Sequence, residues 1–260
     1  MLKQFRWEVD TKRLKLLACK VLYREISLLT YNCENFIDVT YLQQGFHDTP
    51  DILRKLLQEE INRIETGNDM YSCRRREGRD FDAILLGYGL CSNSICGLNS
   101  KKYPLVIPRA HDCITLLLGS KELYRQYFDA HSGGVYWYTP GWIECAMPRG
   151  RETMEIKRSE YLKQYDEETA DYLMLEEHKW LEKYNICAYI SWEDLNQEKH
   201  IEHTKACAEY LNMKFDQLRG TSSLMKDFID GNWREEDFLV LEPGRSVQQS
   251  FDETTIVAGD

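Results

Sequence analysis

The chain has 260 residues, of which 43% are hydrophobic and 29% charged, with a formal net charge of -10. Such a composition buries a full core and excludes a disordered chain. The negative balance excludes a general binder of nucleic acid or anionic membrane, whose phosphates the average surface would repel. The Arg74, Arg75, Arg76 and Arg79 cluster, flanked by Glu77, Asp80 and Asp82, reads as a solvated loop. No apolar run approaches the ~20 residues of a spanning helix, and charges at Lys3, Arg6, Glu8 and Asp10 argue against a signal peptide. The expected location is the cytoplasm, where nine cysteines serve as reduced thiols, ligands or nucleophiles rather than as a disulfide framework.

In chain order, Leu14 to Ala18 reads as a strand ending at Cys19, and Val21 to Tyr31 as a helix with Leu22, Ile26 and Leu29 on one face. Phe36 to Leu42 is strand-like, with His47 shortly after it. Thr49-Pro50-Asp51 then predicts a helix start, with Thr49 as a cap worth about 1 kcal/mol, and the apolar stripe runs to about Ile64. Ala83 to Leu86 is a buried strand, followed by the turn Gly87-Tyr88-Gly89-Leu90-Cys91-Ser92-Asn93 and a short helix or turn to Leu98. Leu105 to Ile107 is a second short strand that runs into Pro108-Arg109-Ala110-His111-Asp112-Cys113 and a helix over 114–118. A helix capped by Ser120 runs to Ala130, and Val135 to Tyr138 is an aromatic strand that reads first as core.

After Pro148 the composition shifts, and residues 151–184 predict one or two long exposed helices rich in Glu, Lys, Tyr and Leu. Strands are expected at Cys187–Trp192, Lys214–Arg219 and Phe238–Glu242, alternating with helices at His203–Leu211 and Ser222–Ile229. This alternation predicts an α/β fold with a mainly parallel, Rossmann-like sheet and helices on both faces. Residues 1–150 are expected to form the α/β domain that carries the site, and 151–260 a helical linker with a second α/β lobe or sheet extension.

Ligands of open α/β sheets bind beyond the carboxyl ends of the strands. Those ends carry Cys19, His47, Cys91, and His111 with Cys113. Cysteine sulfur with imidazole nitrogen is a zinc ligand set, and cysteine alone serves iron–sulfur clusters. A helix amino terminus is expected to lower the pKa of such a cysteine. Cys91, His111 and Cys113 are therefore expected metal ligands with Cys19 as a further thiol, His47 as an acid or base, and Arg109, Ser92 or Asn93 as substrate contacts. Packing is the competing reading for each Cys, and for His47 and His111. Gly87-x-Gly89 lacks the third glycine of a dinucleotide fingerprint, which argues against a nicotinamide site.

Tyr88-Gly89-Leu90-Cys91-Ser92-Asn93, Leu105 to Ile114 and Tyr138-Thr139-Pro140-Gly141-Trp142 resemble an uncharacterised domain-of-unknown-function family of anaerobic bacteria and archaea. Its members are often encoded beside corrinoid-dependent methyltransferases. The resemblance implies a role near one-carbon metabolism, with a corrinoid protein or methyltransferase as partner and a corrinoid or folate as substrate. It supplies no catalytic residues. His111, Cys113 and Cys91 are also similar in kind to the zinc ligands of methylcobalamin:thiol methyltransferases, although those enzymes are barrels and this chain has too few strand–helix units to form one. Two function classes follow. One is an enzyme, or an accessory to one, that uses a zinc-favoured Cys/His centre in methyl transfer. The other is a non-catalytic module that carries an iron–sulfur cluster or binds a corrinoid protein.

Overall fold

A computed structural model of the chain describes residues 11–68, 80–146 and 148–259. The arginine cluster at 74–79, Cys73 and the amino-terminal charges lie outside them. Strand β1 (Arg13–Cys19) passes through a single 3-10 turn into helix α1 (Tyr23–Tyr31), followed by β2 (Phe36–Leu42), α2 (Pro50–Thr66), β3 (Ala83–Gly87) and β4 (Leu105–Pro108). Next come α3 (Cys113–Leu118), α4 (Lys121–Ala130), β5 (Val135–Tyr138), α5 (Pro140–Ala146), α6 (Arg151–Leu162) and α7 (Glu167–Lys179). The chain continues through β6 (Ile186–Ser191), α8 (Glu198–Tyr210), β7 (Lys214–Arg219), α9 (Ser223–Asp230) and β8 (Phe238–Leu241), and ends in the hairpin of β9 (Ser246–Gln249) and β10 (Ile256–Gly259).

The first sheet has the order β2-β1-β3-β4-β8 and the second β5-β6-β7. Pairing is parallel throughout both except for β8, which runs antiparallel to β4. The architecture is thus the expected α/β type with a mostly parallel sheet. The sheets do not divide the chain at residue 150, because β5 pairs with β6 and β8 returns to β4. Two elements go beyond the sequence reading: α5, which begins with Pro140-Gly141, and the terminal hairpin.

Strand period two sorts the core into layers. Leu14, Leu16, Ala83, Leu85 and Val106 face one cluster, while Leu17, Ile84, Leu86, Leu105 and Ile107 face another. The first cluster also takes Val135, Ile186, Ala188 and Ile190 from the second sheet and Leu117, Leu224 and Phe228 from α3 and α9. The two sheets and these helices therefore share one apolar interior. On the opposite face of the first sheet, α2 buries Leu53, Leu57, Ile61 and Ile64, each worth about 1.5 to 3 kcal/mol of apolar burial. Gly67, with φ 74, ends that helix by donating its N–H to the Ile64 carbonyl.

Two predictions concern this framework. Thr49 stands at the α2 amino end as expected, but its hydroxyl makes no cap bond and instead donates to the Phe46 carbonyl at 3.4 Å. Thr49→Ala should therefore change stability by less than about 0.5 kcal/mol, and a loss near 1 kcal/mol in urea unfolding would restore the capping role. Lys15 and Asp38 face each other in the β1–β2 register and form a buried ion pair, Nζ to Oδ1 2.8 Å. Asp38→Ala should cost about 3 to 5 kcal/mol by leaving the ammonium buried without this carboxylate, and the double change Lys15→Met with Asp38→Leu should recover most of it. Equal unfolding midpoints for the single and double variants would contradict this.

Candidate functional site

In the order β2-β1-β3-β4, the connection from β1 goes outward to β2 and the next one crosses back to β3. The boundary between β1 and β3 is thus the switch point of the sheet, where crevices form beyond the carboxyl ends. A cavity of about 410 Å³ lies there, lined by Cys19 at the end of β1, Tyr88, Cys91 and Ser92 after β3, and His111, Asp112 and Cys113 after β4. Gly45 and Phe46 after β2 complete this side, and Tyr136 and Trp137 of β5, Trp142 of α5 and Tyr184 ahead of β6 close the other.

Two loops are stitched together to make this edge. The N–H of Leu90 donates to the Ala110 carbonyl (2.8 Å) and that of Cys91 to the His111 carbonyl (2.9 Å). Gly89 is required at the crossing, because a Cβ there would lie 2.5 Å from the Asp112 nitrogen. The chain then takes three consecutive left-handed residues, Cys91, Ser92 and Asn93, with φ of 45, 57 and 65. Each costs roughly 1 to 2 kcal/mol outside glycine, somewhat less for Asn. The turn is held by N–H donation from Ser94 to the Leu90 carbonyl (3.1 Å) and by the Arg54 guanidinium on the Asn93 carbonyl (2.8 Å). From Cys91 the chain forms a turn, one of the two expected forms, rather than a helix. Only the His111 loop opens one, where Asp112 caps α3 by accepting from the N–H groups of Ile114 (3.1 Å) and Thr115 (3.2 Å).

The thiols of Cys19, Cys91 and Cys113 share one field. Burial pushes the Cys91 thiol up to about 12, and the nearby Asp112 and Cys19 add to the rise. Cys113 is raised further by burial, Asp112, Cys91 and Cys19, and Cys19 by burial and Cys145 against a lowering backbone hydrogen bond. The expected lowering by a helix amino terminus is reversed. At the first residue of a helix only six residues long, desolvation and like charge outweigh the dipole. The Asp112 carboxyl is itself raised by burial, although it accepts from Tyr124 Oη at 3.0 Å.

Of the expected site residues, Cys19, Cys91, His111, Cys113 and Ser92 meet at the cavity. His47 sits in the 3-10 turn Phe46–Asp48 beside the lining residues Gly45 and Phe46. Arg109 does not reach the cavity: its guanidinium donates to the carbonyls of Glu235 (2.8 Å), Thr254 (3.2 Å) and Ile256, which fastens the terminal segment. Asn93 is exposed and contributes its backbone carbonyl to Arg54. Among the described residues no group of three or more His, Cys, Asp or Glu is close enough to hold a metal ion. The donor types suit a soft ion, but among the described residues no three of them come within one coordination sphere.

Sequence reasoning missed Tyr88, Asp112 and the aromatic wall. Asp112 carried a signal, an Asp two and three residues ahead of N–H groups at the start of an apolar run. Trp142 carried none, because its position depends on α5, where Gly141 packs against the Val21 backbone so closely that a Cβ would lie 1.8 Å from its carbonyl oxygen.

A raised folded pKa fixes a sign. Thiol protonation contributes stability that is complete below the unfolded value near 9 and is lost as pH rises toward 12 for Cys91. Alkylation of Cys91 should therefore keep accelerating with pH beyond 10, and Cys91→Ser should flatten the loss of stability above pH 9. A labelling rate that levels off by pH 9 would contradict the burial.

No match was found among curated proteins or among solved structures. A family model described as "Protein of unknown function (DUF1638)" matches residues 41–229, a stretch that spans every cavity-lining element except β1 and the turn after it. The chain belongs to the DUF1638 family.

Proposed function

We propose that the cavity is the working centre of a metal-dependent enzyme, or of an accessory to one, that acts in methyl or other one-carbon transfer with zinc as the favoured ion. The observation that carries this reading is that three cysteines, Cys19 at the end of β1, Cys91 in the turn after β3 and Cys113 at the start of α3, line one cavity at the switch point. Burial raises all three thiol pKa values, Cys19 adds to the rise of Cys91, and both add to that of Cys113; a divalent cation would oppose this and would hold a thiol as thiolate at neutral pH.

The roles of the chain's own residues follow from position. Cys91, Cys113 and Cys19 would supply sulfur, and His111, exposed at the rim, would supply a nitrogen or move a proton. His47 is retained as a candidate acid or base. The aromatic wall would exclude water from the reacting sulfur. In methyl transfer the sulfur lone pair forms the S–CH3 bond while the bond from methyl to its carrier breaks, its electron pair leaving with the carrier. At about 410 Å³ the cavity is at the small end of ligand sites. A corrinoid would therefore meet it from outside, presented by a partner protein, and a folate would reach it by its one-carbon end.

Metal and acid-labile sulfide should be measured on protein purified without oxygen. Close to one zinc per chain is expected, with Cys91→Ser and Cys113→Ser each losing it and Cys33→Ser and Cys207→Ser keeping it. A brown protein that contains sulfide would assign an iron–sulfur module instead. Equal metal content in all four variants, or none in the parent, would leave the thiols as packing.

A further inference from the structure

Helices α6 and α7 form a hairpin that buries little of its own surface. Among the described residues of the two helices only Met154 and Ala170 are buried. Five of the ten exposed large hydrophobic side chains among the described residues, Ile156, Leu162, Tyr165, Tyr172 and Leu175, fall within the same span. Concentrated apolar exposure of this kind marks an interaction surface rather than ordinary scatter.

Polar contacts fix which side of α7 faces α6. Glu177 accepts from Tyr161 Oη at 3.0 Å and pairs with Arg149 at 2.6 Å. At about 100° per residue, Glu177 and the buried Ala170 lie about 180° around the helix from a stripe of Glu168, Tyr172, Leu175 and Lys179. Those four residues fall within about 60° of one another, and all are exposed, Tyr172 at 59% and Leu175 at 58%.

The stripe is complementary to itself. Its order is acid, aromatic, aliphatic, base, with spacings of four, three and four residues. When two copies of α7 pack antiparallel about a two-fold axis midway between Tyr172 and Leu175, Tyr172 meets the partner's Leu175 and Glu168 meets the partner's Lys179, each contact occurring twice. Parallel packing would instead oppose Glu168 to the partner's Glu168 and Lys179 to the partner's Lys179. Lys179 already pairs with Glu176 on its own helix, so the partner's Glu168 is a second carboxylate for the same ammonium. Exposed ion pairs of this kind set register and orientation more than strength, and burial of the tyrosine and leucine supplies the strength. An unrelated protein would have no reason to match both ends of the stripe.

We propose that the exposed face of α7 is a self-association surface, on which a second copy of this chain docks antiparallel through Glu168, Tyr172, Leu175 and Lys179. The contact is isologous and closes at a dimer. It stands apart from the cavity and its chemistry.

Sedimentation equilibrium on the full chain tests this, with Leu175→Glu, Glu168→Lys, and the double change Glu168→Lys with Lys179→Glu. The parent should be a dimer with a Kd of about 100 μM or tighter, the weak limit being set by so small a contact. Leu175→Glu should weaken it by at least about tenfold, because it sets a carboxylate against the apolar centre. Glu168→Lys should weaken it about tenfold by opposing two lysines at each end, and the double change should return to within about threefold of the parent by exchanging the signs. Far-UV circular dichroism should be the same for all four proteins, since every altered position is exposed. A parent that stays monomeric at about 100 μM, a dimer indifferent to Leu175→Glu, or a double variant no tighter than Glu168→Lys would each overturn the proposal. The first outcome is read on the parent and does not depend on any variant folding.

Discussion

The site depends on one close approach of backbones. Gly89 crosses the 110–112 segment so tightly that any side chain would strike the Asp112 nitrogen, and the two N–H bonds from Leu90 and Cys91 close the crossing. Without it, the loops after β3 and β4 would splay, and Cys91 and Cys113 would have no reason to share a cavity. The left-handed run over Cys91, Ser92 and Asn93 follows from the same constraint. Once Leu90 and Cys91 are pinned to the neighbouring loop and Gly97 donates to the Val247 carbonyl (2.7 Å), the intervening residues have little length in which to reverse.

Burial sets the chemistry of these thiols more than helix placement does. Cys113 begins α3, the position that ordinarily favours a thiolate, but the helix has six residues and its capping site is taken by the Asp112 carboxylate. A negative group at that point stabilises the helix and repels a thiolate in the same stroke. Burial thus holds these thiols toward the protonated form.

The sheet was legible where periodicity is strong. β2 and β7 run over the expected residues, and the structure sorts the apolar runs of β1 and β3 onto two faces, Leu14, Leu16 and Leu85 against Leu17, Ile84 and Leu86. That Cys19, Cys91, His111 and Cys113 would lie along one sheet edge was readable because soft-ligand residues stand at the carboxyl ends of β1, β3 and β4. What stayed hidden is long-range. The return of β8 to β4 and the capture of Arg109 by the carbonyls of Glu235, Thr254 and Ile256 link residues more than a hundred positions apart. An arginine in a polar turn looks like a substrate anchor until its partners are known.

The central claim is that Cys19, Cys91 and Cys113 face one another across a single cavity. A trivalent arsenical measures this directly: phenylarsine oxide condenses with two neighbouring thiols, forming two As–S bonds with loss of one water, and peptide mass spectrometry identifies the pair. The account predicts one equivalent bound between two of Cys19, Cys91 and Cys113 in native, metal-free protein. Bridging that never involves two of these three, while the unfolded chain still reacts, would contradict it.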